Sequence, residues 1–312
     1  MNRRSHPSPK GIARRPSGAR LVRRMAGYLF VAPAILFLAA ITVYPILNSL
    51  WMSLTSYRIG RPINPFVGLS NYAQLLGDER LWNSLKNSFF LGLFGCAVTI
   101  VLGVVLALLL NSNWAPLRVR EFMRGVFIMP WIVSTTLAAL MWGLMLHREG
   151  IINSYLTRLG LLRDPIPFTG SMTFALPAII VIFVWKVYPF AMVMILSALK
   201  SVPTELYDAA KVDGASSWHQ MRYIALPLVM PVLLTITILL FIWGFGHYDL
   251  VRVLTGGGPI ERSEVVSYYL YNVAFLQTNF SYGAAISMLV FGILILFGIL
   301  YVRVYARSKP WG

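Results

Sequence analysis

The chain has 312 residues, 57% of them hydrophobic and only 12% charged, whereas soluble globular domains are roughly 45–50% apolar and about 25% charged. A water-soluble fold of this length could not hide that much apolar surface, so lipid is its expected solvent. A net charge of +16 would point to nucleic acid in a polar protein; here Lys and Arg lie beside hydrophobic runs, the pattern that specifies membrane topology. A single cysteine, Cys96, excludes an intrachain disulfide and a cysteine-rich metal site. Inside an apolar run it reads as a small core residue.

Residues 1–27 are Arg-rich, lack packing signals and read as a disordered tail. The apolar run that follows is too long for a signal peptide, whose apolar region is about 7–15 residues, and no A-x-A pattern ends it. It is expected to stay on the protein. A bilayer core about 30 Å thick takes about 20 apolar residues in a helix. Six stretches meet that length: 28–51, 87–110, 125–146, 174–199, 225–248 and 283–305. Their apolar residues run continuously rather than alternating, so none reads as a strand of a membrane barrel. Asn64-Pro65, Gly68 and Asn71 break the first connection, and Asp164-Pro165 with Pro167 the third. Pro130, Pro189 and Pro231 fall inside spans, where proline is tolerated if neighbouring helices or water satisfy the freed carbonyls.

Orientation follows from the basic residues. On the N-terminal side lie the Arg-rich head, Arg118, Arg120, Arg124, Lys200, Lys211, Arg222, Arg303, Arg307 and Lys309. The opposite side holds fewer, among them Arg58, Arg80, Arg148 and Arg252. Both termini are therefore expected to be cytoplasmic.

All acidic residues fall outside the spans, with Asp249 at the edge of the fifth. Ion-coupled transporters usually place Asp, Glu or His within the membrane. Nor is there a Gly-x-x-x-x-Gly-Lys-Ser/Thr loop to hold nucleotide phosphates. The four histidines (His6, His147, His219, His247) show no paired ligand spacing, and His247 with Asp249 reads as a boundary pair. Lys186 is the exception within a span. It either lines a water-filled path or is bonded to helix carbonyls or a partner, and the sequence leaves both open.

The loop between the fourth and fifth spans carries the most information. Thr204 can cap a short helix whose start Glu205 and Asp208 favour electrostatically, and Gly214 can end it in the left-handed conformation. A helix of about nine residues is too short to be stable alone. Ala209 and Ala210 let another surface approach closely, with Leu206, Tyr207 and Val212 as apolar anchors.

The run Asp208-Ala209-Ala210, three residues, Gly214, nine residues, Ile224, one residue, Leu226-Pro227 resembles the "EAA" loop of permeases in binding-protein-dependent ABC importers. Asp213-Gly214-Ala215 agrees as well. Asp208 departs from it, replacing the family's Glu with the same charge on a shorter arm. Asn83-Ser84-Leu85-Lys86-Asn87-Ser88, Trp185-Lys186 and Pro189-Phe190 are similar to the carbohydrate-type branch. Leu254-Thr255-Gly256-Gly257-Gly258-Pro259, by itself a flexible turn, resembles the outer loop of maltose-transporter F-type and glycerol-phosphate-transporter A-type subunits.

The resemblance implies an all-α type I ABC importer permease with six transmembrane helices in a bacterial or archaeal cytoplasmic membrane. The first helix and outer loop would span 28–82 and the transport domain 83–305, with the coupling loop at 201–227 and a cytoplasmic tail at 306–312. Coupling would fall to Glu205, Leu206, Asp208, Ala209, Ala210, Asp213, Gly214, Ala215, Leu226 and Pro227. The outer-loop motif would be Thr255, Gly256, Gly257, Gly258 and Pro259. Trp185, Lys186, Tyr188 and Trp243 are candidates along the substrate path. The implied partners are a second permease, two ATPase subunits that bind ATP and Mg, and an external solute-binding protein. The chain itself would bind no cofactor or metal and catalyse nothing. A sugar or sugar-like solute is the expected cargo; the alternatives are a non-sugar solute of the same superfamily, or a secondary transporter.

Overall fold

The computed structural model describes residues 17–57, 65–112 and 114–307, with side chains from residue 28 to 306 of these. The tail expected at 1–27 lies outside the described residues as far as residue 16, as does the end of the chain from 308. From Ser17 the chain is already helical, inside the stretch expected to lack structure. By its contacts the chain divides after Trp51 into two units.

The first unit is one nearly continuous helix: α1 (Ser17–Leu38), a π turn (Ala39–Val43) and α2 (Tyr44–Ser53), whose end enters the second unit. Pro45 has no N–H to donate to the carbonyl one turn back, so the ladder widens to a π turn there.

The second unit runs α3 (Ser70–Leu76), α4 (Glu79–Asn111), α5 (Leu117–Ile132), α6 (Thr135–Leu146), α7 (Ile151–Arg158), α8 (Ala175–Lys200), α9 (Thr204–Val212), α10 (Ser217–Gln220), α11 (Leu226–Phe245), α12 (Tyr248–Leu254), α13 (Val266–Tyr271) and α14 (Phe280–Arg307). Among the described residues five helices are long and apolar enough to cross a membrane, or six if α5 with α6–α7 is one bent span. The division after Trp51 rather than near residue 83 has a local cause. The segment between is tied into the second unit by Ser53 Oγ to Tyr72 Oη at 2.7 Å and by the Tyr57 N–H donating to Ser281 Oγ.

Two expectations change. The second span begins at Glu79 rather than 87, because Asp78 accepts from Leu81 N–H at 3.0 Å and caps the helix. The third, expected as one helix over 125–146, is broken after Ile132 and bent by 96°. Ser134 caps the new start by accepting from Leu137 N–H.

The core lies where α4, α8 and α11 meet. α4 turns Gly92, Gly95, Cys96, Thr99, Gly103 and Ala107 inward at helical spacing. A Cβ on Gly103 would sit 2.8 Å from the Ala191 Cβ of α8, and one on Gly244 of α11 would sit 3.0 Å from the Gly92 Cα. Small residues let these backbones approach, which is how helices gain packing energy in lipid. Cys96 is buried as expected, its thiol 3.5 Å from the Thr237 carbonyl.

Gly103→Ala should therefore lower the melting temperature of the purified protein, because overpacking costs about 1–3 kcal/mol. Gly298→Ala, where nothing lies within 4 Å, should leave it unchanged or raise it. Equal shifts at the two positions would count against the close α4–α8 packing.

Candidate functional site

A recess in the helical core lies beside the break in the third span. A cavity of about 360 Å³ is lined by Trp131, Thr135, Phe183, Lys186, Val187, Ile242, Trp243, Gly246 and His247. That volume falls within the roughly 300–1,000 Å³ of small-molecule sites. One wall is a trio of rings: Trp131 stacks on Phe190 at 5.2 Å between centroids, and Trp243 lies 5.7 Å from Trp131 and 5.0 Å from Phe190. Also in the lining, the His247 imidazole stands edge-on to Phe183 at 5.3 Å, and its Nε2 is buried without a hydrogen-bond partner.

Lys186 resolves the two readings left open by the sequence. Its ammonium donates to the carbonyls of Val133 at 2.5 Å, Trp131 at 3.2 Å and Pro130 at 3.4 Å. An α-helix ends with carbonyls that lack an intrahelical partner, and in lipid each such group costs several kcal/mol. A three-donor ammonium from α8 supplies the missing bonds. Lys186 is thus the cap of α5, delivered from another helix, and also lines the cavity.

Of the four residues expected along the path, Lys186 and Trp243 line this cavity and Trp185 and Tyr188 do not. Trp185 packs edge-on against Trp142 at 5.6 Å. Trp131, Thr135 and His247 were not singled out for it from the sequence. Of the boundary pair, His247 belongs to the cavity wall, while Asp249 stands exposed in the first turn of α12.

The nine-residue helix expected after the fourth span is α9. Its start differs: Pro203 takes the N-cap position, and Thr204 is the first helical residue with no side-chain cap. Its end follows the sequence. Gly214 has φ +75° with nothing within 4 Å of where a Cβ would be, so conformation rather than crowding demands glycine. The Gly214 N–H donates to the Lys211 carbonyl at 3.0 Å and the Ala215 N–H to the Ala210 carbonyl at 2.8 Å, a complete Schellman closure. Asp208 pairs with Lys211 at 2.9 Å along the exposed surface. No residue of α9 is buried, and only Tyr207 reaches the core. Glu205, Leu206, Asp208, Ala209, Ala210, Asp213, Gly214 and Ala215 thus form one compact knob. Leu226 and Pro227 lie beyond α10, at the start of α11, where Pro227 lacks the N–H for a regular turn and the chain forms a π turn (Met221–Ala225).

At the opposite end of the bundle the glycine run is pinned rather than loose. Gly256 and Gly257 have φ +58° and +78°, and a Cβ on Gly257 would meet the Tyr268 ring at 3.0 Å. Ser263 Oγ donates to the Gly258 carbonyl at 2.6 Å and lies 2.8 Å from Thr255 Oγ1, and Pro259 follows in a cis bond. The loop is fastened to α4. Glu264, 1% exposed, receives a two-pronged bond from Arg80 at 2.7 and 2.9 Å and one from Asn272 at 3.2 Å. Asn83 donates to the Glu261 carbonyl, Asn87 to the Glu264 carbonyl, and Ser88 accepts from Val266 N–H. The Asn83–Ser88 motif and the glycine loop, far apart in sequence, are one structure. Beside them Asp78 accepts from the Tyr269 and Tyr282 hydroxyls, each at 2.5 Å. Burial pushes the Asp78 carboxyl up, but these bonds and two backbone N–H groups outweigh it and hold it below its ordinary range.

Residues 99–310 match the family described as binding-protein-dependent transport system inner membrane component. The chain is 33% identical over 279 residues to the trehalose/maltose transport system permease protein MalF of Thermococcus litoralis, covering 89% of this chain and 92% of that one. It is 30% identical to the trehalose transport system permease protein SugA of Mycobacterium tuberculosis (95% and 94% covered) and to the lactose transport system permease protein LacF of Rhizobium radiobacter (91% and 94%). A crystal structure of a bacterial ABC transporter that imports the acidic polysaccharide alginate shares the fold, with a TM-score of 0.79 over 93% of this chain and 98% of that one, at 20% identity.

Lys186→Met should leave three carbonyls bare at the break. Each unsatisfied buried acceptor costs about 1–3 kcal/mol, so a marked loss of thermal stability is expected; an unchanged melting curve would mean that the ammonium does not hold the break. Glu264→Ala removes the buried partner of Arg80 and leaves it only the half-exposed Glu261 at 3.1 Å, so a cost below the roughly 3–5 kcal/mol of a fully buried pair is expected. Limited proteolysis should then cut the 255–264 loop faster than in the parent protein, and equal rates would show the loop to be held by other means.

Proposed function

The chain belongs to the family of binding-protein-dependent transport system inner membrane components, and on that premise we propose that it forms half of the path by which an ATP-driven importer carries a sugar across the membrane. It is a multi-pass ABC transporter permease by family and relatives, and in this proposal it catalyses nothing itself. The proposal goes further in assigning the parts. A second permease completes the pore, two ATPase subunits hold ATP and Mg, and an external binding protein hands over the solute. The relatives named for maltose, trehalose and lactose transport support a sugar as cargo. So does a cavity lined by Trp131 and Trp243, whose rings are tilted 40° to one another, since aromatic rings pack well against the apolar faces of pyranose rings.

The single observation that carries the coupling assignment is the uncovered state of α9. A nine-residue helix does not persist on its own, yet this one is closed at its C-terminus and has almost no internal support. Val212 is 88% exposed and Trp218, just beyond, 71%. Apolar side chains held out in this way mark a protein-contact surface. The excess of Lys and Arg at this end supports a cytoplasmic position for α9 and both termini, on the side where an ATPase would meet it. The mechanism needs no chemistry from this chain. Closure of the ATPase pair on ATP would draw two such knobs together and favour one of two packings of the helices, and hydrolysis would restore the other.

Ala209→Arg places bulk and charge on the uncovered face of α9, and Gly214→Pro forbids the positive φ at its end. Both variants should insert normally and lose ATP-driven uptake of the sugar. Full transport-coupled ATPase activity in the assembled Ala209→Arg complex would overturn the coupling role.

A further inference from the structure

At the end of the bundle that carries α9, a second cleft opens between the last turns of α4, the start of α5 and the last turns of α8. Its lining is Arg120, Arg124 and Lys200 with the carboxylate of Glu121, together with Leu110, Leu117 and Leu196. Three cations thus converge against one anion, and no ion pair among the described residues involves any of them. Such convergence is unfavourable without a counter-charge.

Arg120 carries the more specific signal. One arm of its guanidinium is fixed by donating to the Ser112 carbonyl at 3.1 Å. Its Nε is buried and has no hydrogen-bond partner. A buried cationic N–H without an acceptor is costly, and the fork that holds it is the geometry that oxygens of a phosphate match. Between α4 and α5, near the cleft along the chain, stands Trp114, half exposed, with its Nε1 donating to the Leu109 carbonyl. Tryptophan favours the level of lipid headgroups. Among the leucines of the lining Leu110 and Leu196 are buried, and Leu117, one turn before Arg120 at the start of α5, is open to the outside. The cleft therefore offers cations at headgroup level beside one exposed apolar side chain, Leu117.

We propose that Arg120, Arg124 and Lys200 form a binding site for the phosphate of an anionic phospholipid, with Leu117 as its apolar neighbour. A soluble phosphate would satisfy the same guanidinium but would gain nothing from Leu117. The site rests on the reading of this chain as a membrane-spanning subunit, and is independent of which solute the chain carries.

The test is native mass spectrometry of the assembled importer, taken from vesicles of phosphatidylcholine with phosphatidylglycerol as the anionic component. The complex should retain phosphatidylglycerol in preference to phosphatidylcholine. Charge near the membrane surface is worth about fivefold in affinity per Lys or Arg, so Arg120→Gln with Lys200→Gln should weaken retention about 25-fold, and Arg124→Gln alone about fivefold. Equal retention in parent and variants would overturn the proposal, assigning the lipid to the general annulus. Displacement of phosphatidylglycerol by inorganic phosphate at millimolar concentration, with no preference left between the lipids, would overturn the lipid source in favour of a free anion. ATP-driven uptake, measured on the same preparations, reports separately on the coupling role of α9, so failure of either assignment leaves the other readable.

Discussion

The bundle depends on how a broken helix is made tolerable inside a hydrocarbon layer. Backbone groups exposed at that depth have no water to bond, and irregular backbone survives there only where protein or a wet cavity meets it. Between α5 and α6 the chain turns through 96°, and the carbonyls of Pro130, Trp131 and Val133 are met by the ammonium of Lys186. The lysine is tolerated because it has bonds to make, and the break because it has a donor to meet. The turned chain leaves a recess beside it, walled by Trp131, Trp243 and His247. One charge–dipole contact between α8 and α5 therefore fixes both the fold's main irregularity and the position of its cavity.

The two ends of the bundle are built on opposite principles. At the end bearing the glycine run, loop 255–264 is bonded to α4 through Arg80, Asn83, Asn87 and Ser88, and Glu264 is buried under it. At the other, α9 is closed on itself by its Schellman bonds and touches the core mainly through Tyr207. The first end is rigid by itself. The second has its shape but lacks its support.

What could be read from the sequence divides along the same physical line. Membrane spans announce themselves because about 20 apolar residues are needed wherever the bilayer is crossed, and the left-handed stop at Gly214 because only glycine adopts it freely. The EAA-like spacing singled out α9 for the same reason: its determinants are local. The break in the third span was hidden. Pro130 looks no different in sequence from Pro189 and Pro231, which sit inside the unbroken helices α8 and α11. What separates them is a cap at Ser134 and a donor on another helix, and no local pattern encodes the second. The Arg80–Glu264 pair, 184 positions apart, was hidden likewise, and with it the fact that the glycine run is held fast. Trp185 and Tyr188, candidates along the path as aromatics, do not line this cavity although they flank Lys186 and Val187, which do, because neighbours along a helix point in different directions.

The pinned outer loop has a consequence for anything that docks there. A flexible loop must surrender its conformational freedom at the moment of contact, and that loss subtracts from the free energy of association. Here the surrender has taken place during folding, through Glu264 and the asparagines of α4. The surface at this end is consequently a preset relief, and a protein that docked on it would meet a template rather than a partner that moulds itself to fit.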